Sequence, residues 1–254
     1  MTENQNFSRL LKIMDELREG CPWDKKQTIH TLSHLTVEET YELTDAILEE
    51  NFDDIKGELG DLLLHLVFYA KIASEENKFD INDVIDGICE KLIHRHPHIY
   101  GDEKVKNEED VKRNWEKLKL KEGKKSVLEG VPKGLPALVK AQRIQEKVSG
   151  IGFDWDNAKQ VLDKVKEEIK EFEVESQEEN QDQMEAEFGD ILFSLVNYAR
   201  YKNINPESAL ERTNKKFIKR FKFLEEETKK QNLNLSDMSL DEMDLYWKKA
   251  KNQE

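Results

Sequence analysis

The chain writes one helical pattern twice, and this repeat limits the folds it can adopt. The stretch ELGDLLLHLVFYAK, which begins at Glu58, returns at Glu187 as EFGDILFSLVNYAR, with eight of fourteen positions identical. In both copies, two acids three positions apart precede an apolar run. Chance similarity rarely preserves such spacing, so we interpret the chain as a tandem duplication.

Other motifs follow the same repeat. EETYEL at Glu38 and EEIKEF at Glu167 keep the offset of 129, and GCPWD at Gly20 resembles GFDWD at Gly152. Between the copies, glycine and proline cluster in KEGKKSVLEGVPKGLPAL, which is typical of turns and linkers. We therefore predict a first domain, a linker and a second domain over residues 1–120, 121–136 and 137–254.

The apolar pattern predicts an all-α fold. Val161, Val165 and Ile169 recur at helical spacing, and GDILFSLVNYARY reads as a second, more buried helix. A third helix is expected over roughly 206–230, with Phe217 and Phe221 facing inward. Because no stretch alternates with period two, we expect two tandem helical bundles and essentially no sheet.

Composition excludes several classes of function. The net charge of −14 argues against nonspecific binding to nucleic acid or to a membrane surface. Cys21 and Cys89 form no C-x-x-C pair, and the polar N-terminus is unlike a signal peptide. Since no apolar run approaches the roughly 18 residues of a membrane span, we expect a cytoplasmic protein.

The repeated acids predict a metal site. Residues three apart on a helix share a face, so Glu168 projects with Glu171, and Glu187 projects with Asp190. The sixteen positions from Glu171 to Glu187 allow a turn and an antiparallel return. Four converging carboxylates would repel each other unless a hard divalent cation such as Mg²⁺ neutralised them.

The alternative is a solvated helix face, since EExxE patterns are common in a chain of which 37% is charged. The recurrence of the same acids at fixed spacing favours the metal site. The corresponding residues of the first half are Glu39, Glu42, Glu58 and Asp61.

A polar stripe continues from these acids along the second repeated helix. Asp190, Ser194 and Asn197 are spaced four and three apart, and Phe68 occupies the position of Asn197 in the first half. We hypothesise that Asn197 hydrogen-bonds a base or a sugar. The alternative is an Asn satisfied by neighbouring helices.

Basic and aromatic residues follow each acid motif. Lys–Arg pairs four apart suit phosphate oxygens, and each half ends with a Trp followed four positions later by a Lys. The rings could stack on a base or serve only in packing. These residues are Lys91, Arg95, Trp115 and Lys119 in the first half, and Lys216, Arg220, Trp247 and Lys251 in the second.

The histidines of HRHPHIYGD do not form a zinc motif. His94, His96 and His98 lack the spacing of a structural zinc site, and no cysteine is close. Pro97 is expected to end the helix that precedes it.

Taken in order, GCPWDKKQT, EETYEL, GELGDLL, RHPHIYGD, GLPAL, GFDWD and EFGDILF resemble the two-domain MazG nucleoside triphosphate pyrophosphohydrolases over nearly the whole chain. The resemblance implies an all-α fold and a homodimer. It also implies hydrolysis of NTPs or dNTPs to the monophosphate and pyrophosphate with magnesium, for which manganese is a possible substitute.

The resemblance also implies roles for individual residues. It makes the four acids of each half magnesium ligands, and the Lys, Arg and Trp residues named above the substrate contacts. It places catalysis mainly in the second domain, where Glu168 and Glu171 act with magnesium. Glu167 is a spare carboxylate that could activate the attacking water.

Two alternatives remain open at this point. A helical dimer could sense nucleotides without cleaving them, in which case the acids would be retained without turnover. A di-iron bundle ordinarily uses Glu-x-x-His ligand pairs, and neither half has one at its acid motif.

Overall fold

The structure, a computed structural model, describes residues 2–107, 110, 111, 114, 115, 118 and 126–253, with side chains for all of these except residues 3 and 4. It contains two compact units, Met1–Lys106 and Asn107–Glu254. The first unit contains α1 (Glu3–Gly20), a 3₁₀ turn (Asp24–Lys26), α2 (Ile29–Leu48), α3 (Phe52–Glu75), α4 (Ile81–Arg95) and α5 (Pro97–Tyr100).

The second unit contains α6 (Ala137–Ser149), α7 (Ala158–Gln177), α8 (Gln181–Tyr201), α9 (Pro206–Lys230), a 3₁₀ turn (Leu235–Asp237) and α10 (Leu240–Lys251). The described residues include no strand. The predicted all-α class is therefore confirmed.

The duplication is visible in the turn that joins the two acid-bearing helices of each unit. Glu50 and Glu179, which are related by the repeat offset, both adopt the left-handed conformation with φ 54°. An Asn follows each of them and caps the next helix. Asn51 accepts from the backbone N–H groups of Asp53 and Asp54, and Asn180 caps α8 in the same way. Each half therefore builds the same helical hairpin.

The core of the first unit lies where α1 and α2 pack on α3. It is formed by Met14, Leu32, Val67, Phe68 and Ile72. Met14 and Phe68 are 1% and 2% exposed.

In the second unit α7 packs mainly on α8, and α6 and α9 pack against each other and against α8. The apolar stripe predicted on α7 is buried at Val161 and Val165 but open at Ile169. The helix predicted over 206–230 matches α9. Its predicted inward side chains, however, include Phe217 and Phe221, which are exposed. Periodicity identifies the apolar face of a helix, not whether the same chain covers it.

The predicted domain boundary remains a prediction. Residues 121–125 of the predicted linker lie outside the described residues, and the contacts divide the chain at Lys106 and Asn107. As predicted, α4 ends at Arg95, two residues before Pro97, which begins α5. None of the described helices has an apolar stretch of the length that crossing a bilayer requires.

Candidate active site

The hairpin of α7 and α8 brings three of the four predicted acids together. One carboxylate oxygen from each of Glu168, Glu171 and Glu187 lies within 4.8 Å of the others. Glu168 is buried, Glu187 is half-buried and Glu171 is exposed. The group therefore spans from the packed interior of the hairpin to its surface.

Asp190 does not join this group of oxygens. It lies three positions beyond Glu187 on α8, is exposed, and lines an adjoining cavity together with Glu168. The predicted fourth ligand is therefore beside the cluster rather than within it.

A lysine side chain that the sequence did not predict forms ion pairs with this cluster. Lys164 Nζ lies 2.9 Å from Glu168 Oε1 and 2.8 Å from Glu167 Oε1. These hydrogen bonds raise the pKa of Lys164 above its ordinary value. Comparison of the two repeats could have identified Lys164, because the matching position in the first half is the apolar Leu35.

The acids of the second unit remain crowded despite this lysine. A hydrogen bond with Glu168 is the main cause that raises the pKa of Glu171, followed by burial and by the negative charge of Glu168. Crowded carboxylates of this kind favour a divalent cation, which offsets their mutual repulsion.

The first unit has a similar cluster, but its third member is Asp61 rather than Glu42, which is the counterpart of Glu171. Oxygens of Glu39, Glu58 and Asp61 lie within 4.8 Å of one another, and Glu42 is close enough to hydrogen-bond Glu58. Burial, followed by the charges of Glu39 and Asp61, raises the pKa of Glu58. Its Oε2 atom is buried and has no hydrogen-bond partner among the described residues.

Both clusters fit magnesium in their donor chemistry. Mg²⁺ binds oxygen ligands at about 2.0–2.1 Å in an octahedron, so ligand oxygens separated by up to about 4 Å can share one ion. Groups spread over 4.8 Å need only small side-chain shifts to reach that spacing. The metal groups formed by the described residues include none of His94, His96 and His98.

A cavity of about 570 Å³ adjoins the acids of the second unit. Glu168, Asp190 and Lys164 line one part of it. The lining is otherwise largely apolar and aromatic, and includes Ile144, Val148, Phe153, Trp155, Val161 and Phe193. Such a mixture of apolar walls and a few polar groups is typical of small-molecule sites.

A polar network fixes the loop that bears Phe153 and Trp155. Arg200 donates to both carboxylate oxygens of Asp154, and Ser149 Oγ donates to Asp154 Oδ2. Tyr201 also donates from its hydroxyl to the carbonyl of Trp155. Partial burial alone would raise the pKa of Asp154, but the hydrogen bonds from Arg200 and Ser149 lower it below its ordinary value.

Asn197 belongs to the same network and lines the cavity. Its Oδ1 atom accepts from Arg200 Nε at 3.0 Å and from Nη2 at 2.8 Å. Asn197 therefore lines the cavity and accepts from Arg200 of its own helix α8, and this arrangement decides neither of the two interpretations made from the sequence. Its contact with a base or sugar stays a prediction.

The predicted basic and aromatic residues of the second half lie outside the cavity lining. Arg220 on α9 places its guanidinium 5.7 Å from the ring centre of Trp247 on α10, and Phe217 packs against the same ring at 4.9 Å. Lys216 and Lys251 are exposed on the same two helices. The structure thus joins Arg220 to Trp247 but does not bring these four residues to the cavity.

Their counterparts in the first half are less fully described. Lys91 is exposed and Arg95 is half-buried, both on α4. Trp115 is half-buried and falls in the second unit by its contacts, although the repeat placed it in the first half. Lys119 lies outside the described residues.

Comparison with known proteins identifies the class to which this tandem all-α repeat belongs. The MazG nucleotide pyrophosphohydrolase domain matches residues 27–100 and 157–224. The chain therefore belongs to the MazG nucleotide pyrophosphohydrolase family, and it is an enzyme of that class.

Two relatives are similar over nearly their whole length. The "Nucleoside triphosphate pyrophosphohydrolase" of Escherichia coli K12 is 44% identical and covers 98% of each chain. The "Nucleoside triphosphate pyrophosphohydrolase/pyrophosphatase MazG" of Thermotoga maritima is 45% identical over 96% of this chain and 95% of its own. The crystal structure of a MazG-related protein from Thermotoga maritima matches 44% of this chain and 98% of its own, with 28% identity and a TM-score of 0.40.

Proposed function

We propose that this protein hydrolyses nucleoside triphosphates, ribo or deoxyribo, to the monophosphate and pyrophosphate with magnesium, and so helps to maintain the nucleotide pool. The observation that carries this proposal is the convergence of Glu168, Glu171 and Glu187 next to a cavity that Glu168 also lines. The names of the two full-length relatives support the same substrate class.

Glu168, Glu171 and Glu187 would hold the magnesium, with Asp190 adjoining them from the cavity side. Magnesium bound there would offset the negative charge that develops on the pyrophosphate leaving group. The first unit has a second set of acids, and we propose that Glu39, Glu42, Glu58 and Asp61 can bind the same ion.

The protein's own side chains would prepare the attack. Glu167, next to Glu168, is the spare carboxylate that accepts a proton from water as the new oxygen–phosphorus bond forms and a bridging bond breaks. It is held at 2.8 Å by Lys164, whose ammonium lies at the cavity and can also meet a phosphate oxygen. No covalent intermediate is needed for this direct hydrolysis.

We also propose that Lys216 and Arg220 contact the phosphates, and that Trp247 and Lys251 complete the nucleotide site. The stacking of Arg220 over Trp247 supports a joint role for these two residues. Their counterparts Lys91, Arg95, Trp115 and Lys119 would serve the first repeat in the same way.

We further propose that the protein acts as a cytoplasmic homodimer. Leu192 and Leu195 on α8, together with Phe217 on α9, are more than 40% exposed in the single chain. Large exposed apolar side chains on neighbouring helices favour burial against a second copy. Analytical ultracentrifugation tests this directly, and a monomer at micromolar concentration would contradict it.

The deciding experiment incubates the chain with each NTP and dNTP and either Mg²⁺ or Mn²⁺, and separates pyrophosphate from orthophosphate. Pyrophosphate and monophosphate in equal amounts are expected, and water labelled with ¹⁸O should mark one of them. Glu171→Gln should abolish turnover, whereas Glu42→Gln should leave most of it. Nucleotide binding without turnover would instead identify a nucleotide sensor.

A further inference from the structure

One buried amide on the cavity wall is only half satisfied. Gln145 on α6 is 4% exposed and lines the cavity. Its Nε2 atom donates to the carbonyl oxygen of Phe193 at 2.8 Å. Because a carbonyl can only accept, the amide must turn its nitrogen toward Phe193 and its oxygen elsewhere.

The oxygen of this amide is left without a partner. Gln145 Oε1 is buried, and no described residue donates a hydrogen bond to it. Folded proteins rarely leave such an acceptor unpaired, because the loss of its hydrogen bonds to water is uncompensated. On a cavity wall, an N–H group of a bound ligand would satisfy it.

The amide of Asn197 is fixed through its oxygen, whereas that of Gln145 is fixed through its nitrogen. A guanidinium group can only donate, and Arg200 donates to Asn197 Oδ1 through two nitrogens. Asn197 must therefore turn Nδ2, a donor, away from Arg200. Phe193, whose carbonyl accepts from Gln145, lies one helical turn before Asn197 on α8. Both Gln145 and Asn197 line the cavity.

The walls near these amides suit a flat ring. Ile144 and Val148 on α6 line the cavity with the aromatic rings of Phe153 and Trp155. Trp155 is 42% exposed and Phe153 is 76% exposed, so both rings have open surface. A flat heterocycle bearing an N–H group and an acceptor on one edge matches this chemistry, and every nucleobase has such an edge.

The first unit has no equivalent of this polar pair. When Lys12-Ile13 is aligned with Arg143-Ile144, Met14 occupies the position of Gln145, and Phe68 occupies that of Asn197. Met14 and Phe68 pack together in the core of the first unit. In this alignment the first unit has two apolar core residues where the second unit has two amides that line the cavity.

We propose that Gln145 Oε1 is a specificity-determining acceptor that binds an N–H group on the edge of the substrate's nucleobase, in the second unit alone. This inference rests on the proposed function for the identity of the ligand. It assigns one end of the cavity to the base and the acidic end, with Glu168 and Asp190, to the phosphates.

The test measures binding of α,β-methylene analogues of ATP, GTP, CTP and UTP to the full chain with Mg²⁺. Each is paired with the same α,β-methylene triphosphate carrying a base whose edge N–H groups are absent or methylated, such as purine in place of adenine. We expect the wild type to bind its preferred natural base roughly tenfold to a hundredfold tighter than the partner analogue. Equal affinities for every pair would overturn the proposal without any variant.

Gln145→Met should reduce this discrimination to near unity by weakening binding of the natural base, while affinity for inorganic tripolyphosphate stays unchanged. The substitution is conservative because the first unit already has Met14 in this place. Gln142→Met is the matched control, since Gln142 bonds Glu146 on the same helix and does not line the cavity. Full discrimination in Gln145→Met would contradict the inference.

The readout is binding, so it separates this inference from the proposed function. Base discrimination that depends on Gln145, in a protein that releases no pyrophosphate from NTPs, would refute the hydrolysis but retain the inference. Pyrophosphate release with no effect of Gln145→Met on base preference would support the hydrolysis and refute the inference.

Discussion

Arg200 and Asp154, which are 46 positions apart, form a two-pronged ion pair in which Nη1 lies 2.9 Å from Oδ2. The side chains are 15% and 24% exposed. The pair ties the loop carrying Phe153 and Trp155 to α8. Because these rings line the cavity, the pair positions one wall of the site without itself belonging to the acid cluster.

Asp154→Asn should loosen this loop and weaken nucleotide binding. Loss of a charged partner from a largely buried pair should reduce stability by about 1–3 kcal/mol, because Arg200 loses its counter-charge while both groups keep their shape. Calorimetric melting and titration with an unreactive nucleotide analogue measure the two effects. Asp163→Asn is the control, since Asp163 forms an exposed ion pair with Lys166 on α7. A stable Asp154→Asn variant with unchanged affinity would contradict this role.

The same pair predicts a pH dependence. The pKa of Asp154 is lowered in the folded protein from an ordinary value of 3.8. The stability that the ionised carboxylate contributes is therefore complete above pH 3.8 and is lost as the pH falls through the lowered pKa. The difference in melting temperature between wild type and Asp154→Asn should be constant from pH 5 to 7 and should shrink below pH 3.8. A difference that grows on acidification would contradict this assignment.

Asn197 can be tested for its two roles separately. Asn197→Asp keeps an acceptor for Arg200 but removes the Nδ2 donor, so it should retain the melting temperature and weaken nucleotide binding about tenfold. Asn197→Ala removes the acceptor as well as the donor, so it should also lower the melting temperature. Thr213→Ala is the control, since the Thr213 hydroxyl donates to Ala209 of its own helix α9 and Thr213 does not line the cavity. Unchanged substrate affinity in Asn197→Ala would contradict base or sugar contact.

Lys164 competes with a cation for Glu168. Lys164→Leu, which introduces the residue type of position 35 in the first unit, should therefore tighten Mg²⁺ binding to the nucleotide-free protein. It should also slow hydrolysis by tenfold or more, because an ammonium at the cavity is lost. Isothermal titration and pyrophosphate release measure these effects. Lys166→Leu, which removes an exposed lysine on the same helix, is the control. Weaker Mg²⁺ binding in Lys164→Leu would contradict the competition.

The repeat predicted the hairpins well because it compares two copies of one structure within one sequence. The spacing from Glu171 to Glu187 allowed an antiparallel return, and the structure has one with the same turn in both units. Three acids of each set converge because helical spacing fixes their direction. The spacing alone could not show that Asp190 lies beside the group, since small rotations of a helix decide such distances.

The cavity could not be predicted, because no local pattern encodes it. It forms where α6, α7, α8 and the loop at Phe153 meet, through contacts between residues far apart in sequence. Gln145 gave no signal, since a polar residue on an amphipathic helix is ordinarily expected at the surface. The exposure of Phe217 has a similar cause, because an apolar stripe does not identify what covers it.

The central claim is that the carboxylates of α7 and α8 hold a divalent cation that hydrolysis requires. Electron paramagnetic resonance of Mn²⁺, titrated into the protein with an α,β-methylene nucleotide, counts the bound ions. We expect Glu171→Gln to lose the ions that the wild type binds at its second unit and to release no pyrophosphate from NTPs. Glu173→Gln, on the same helix, is the control and should behave as wild type. If Glu171→Gln binds as many ions as tightly and turns over at the wild-type rate, the claim is wrong.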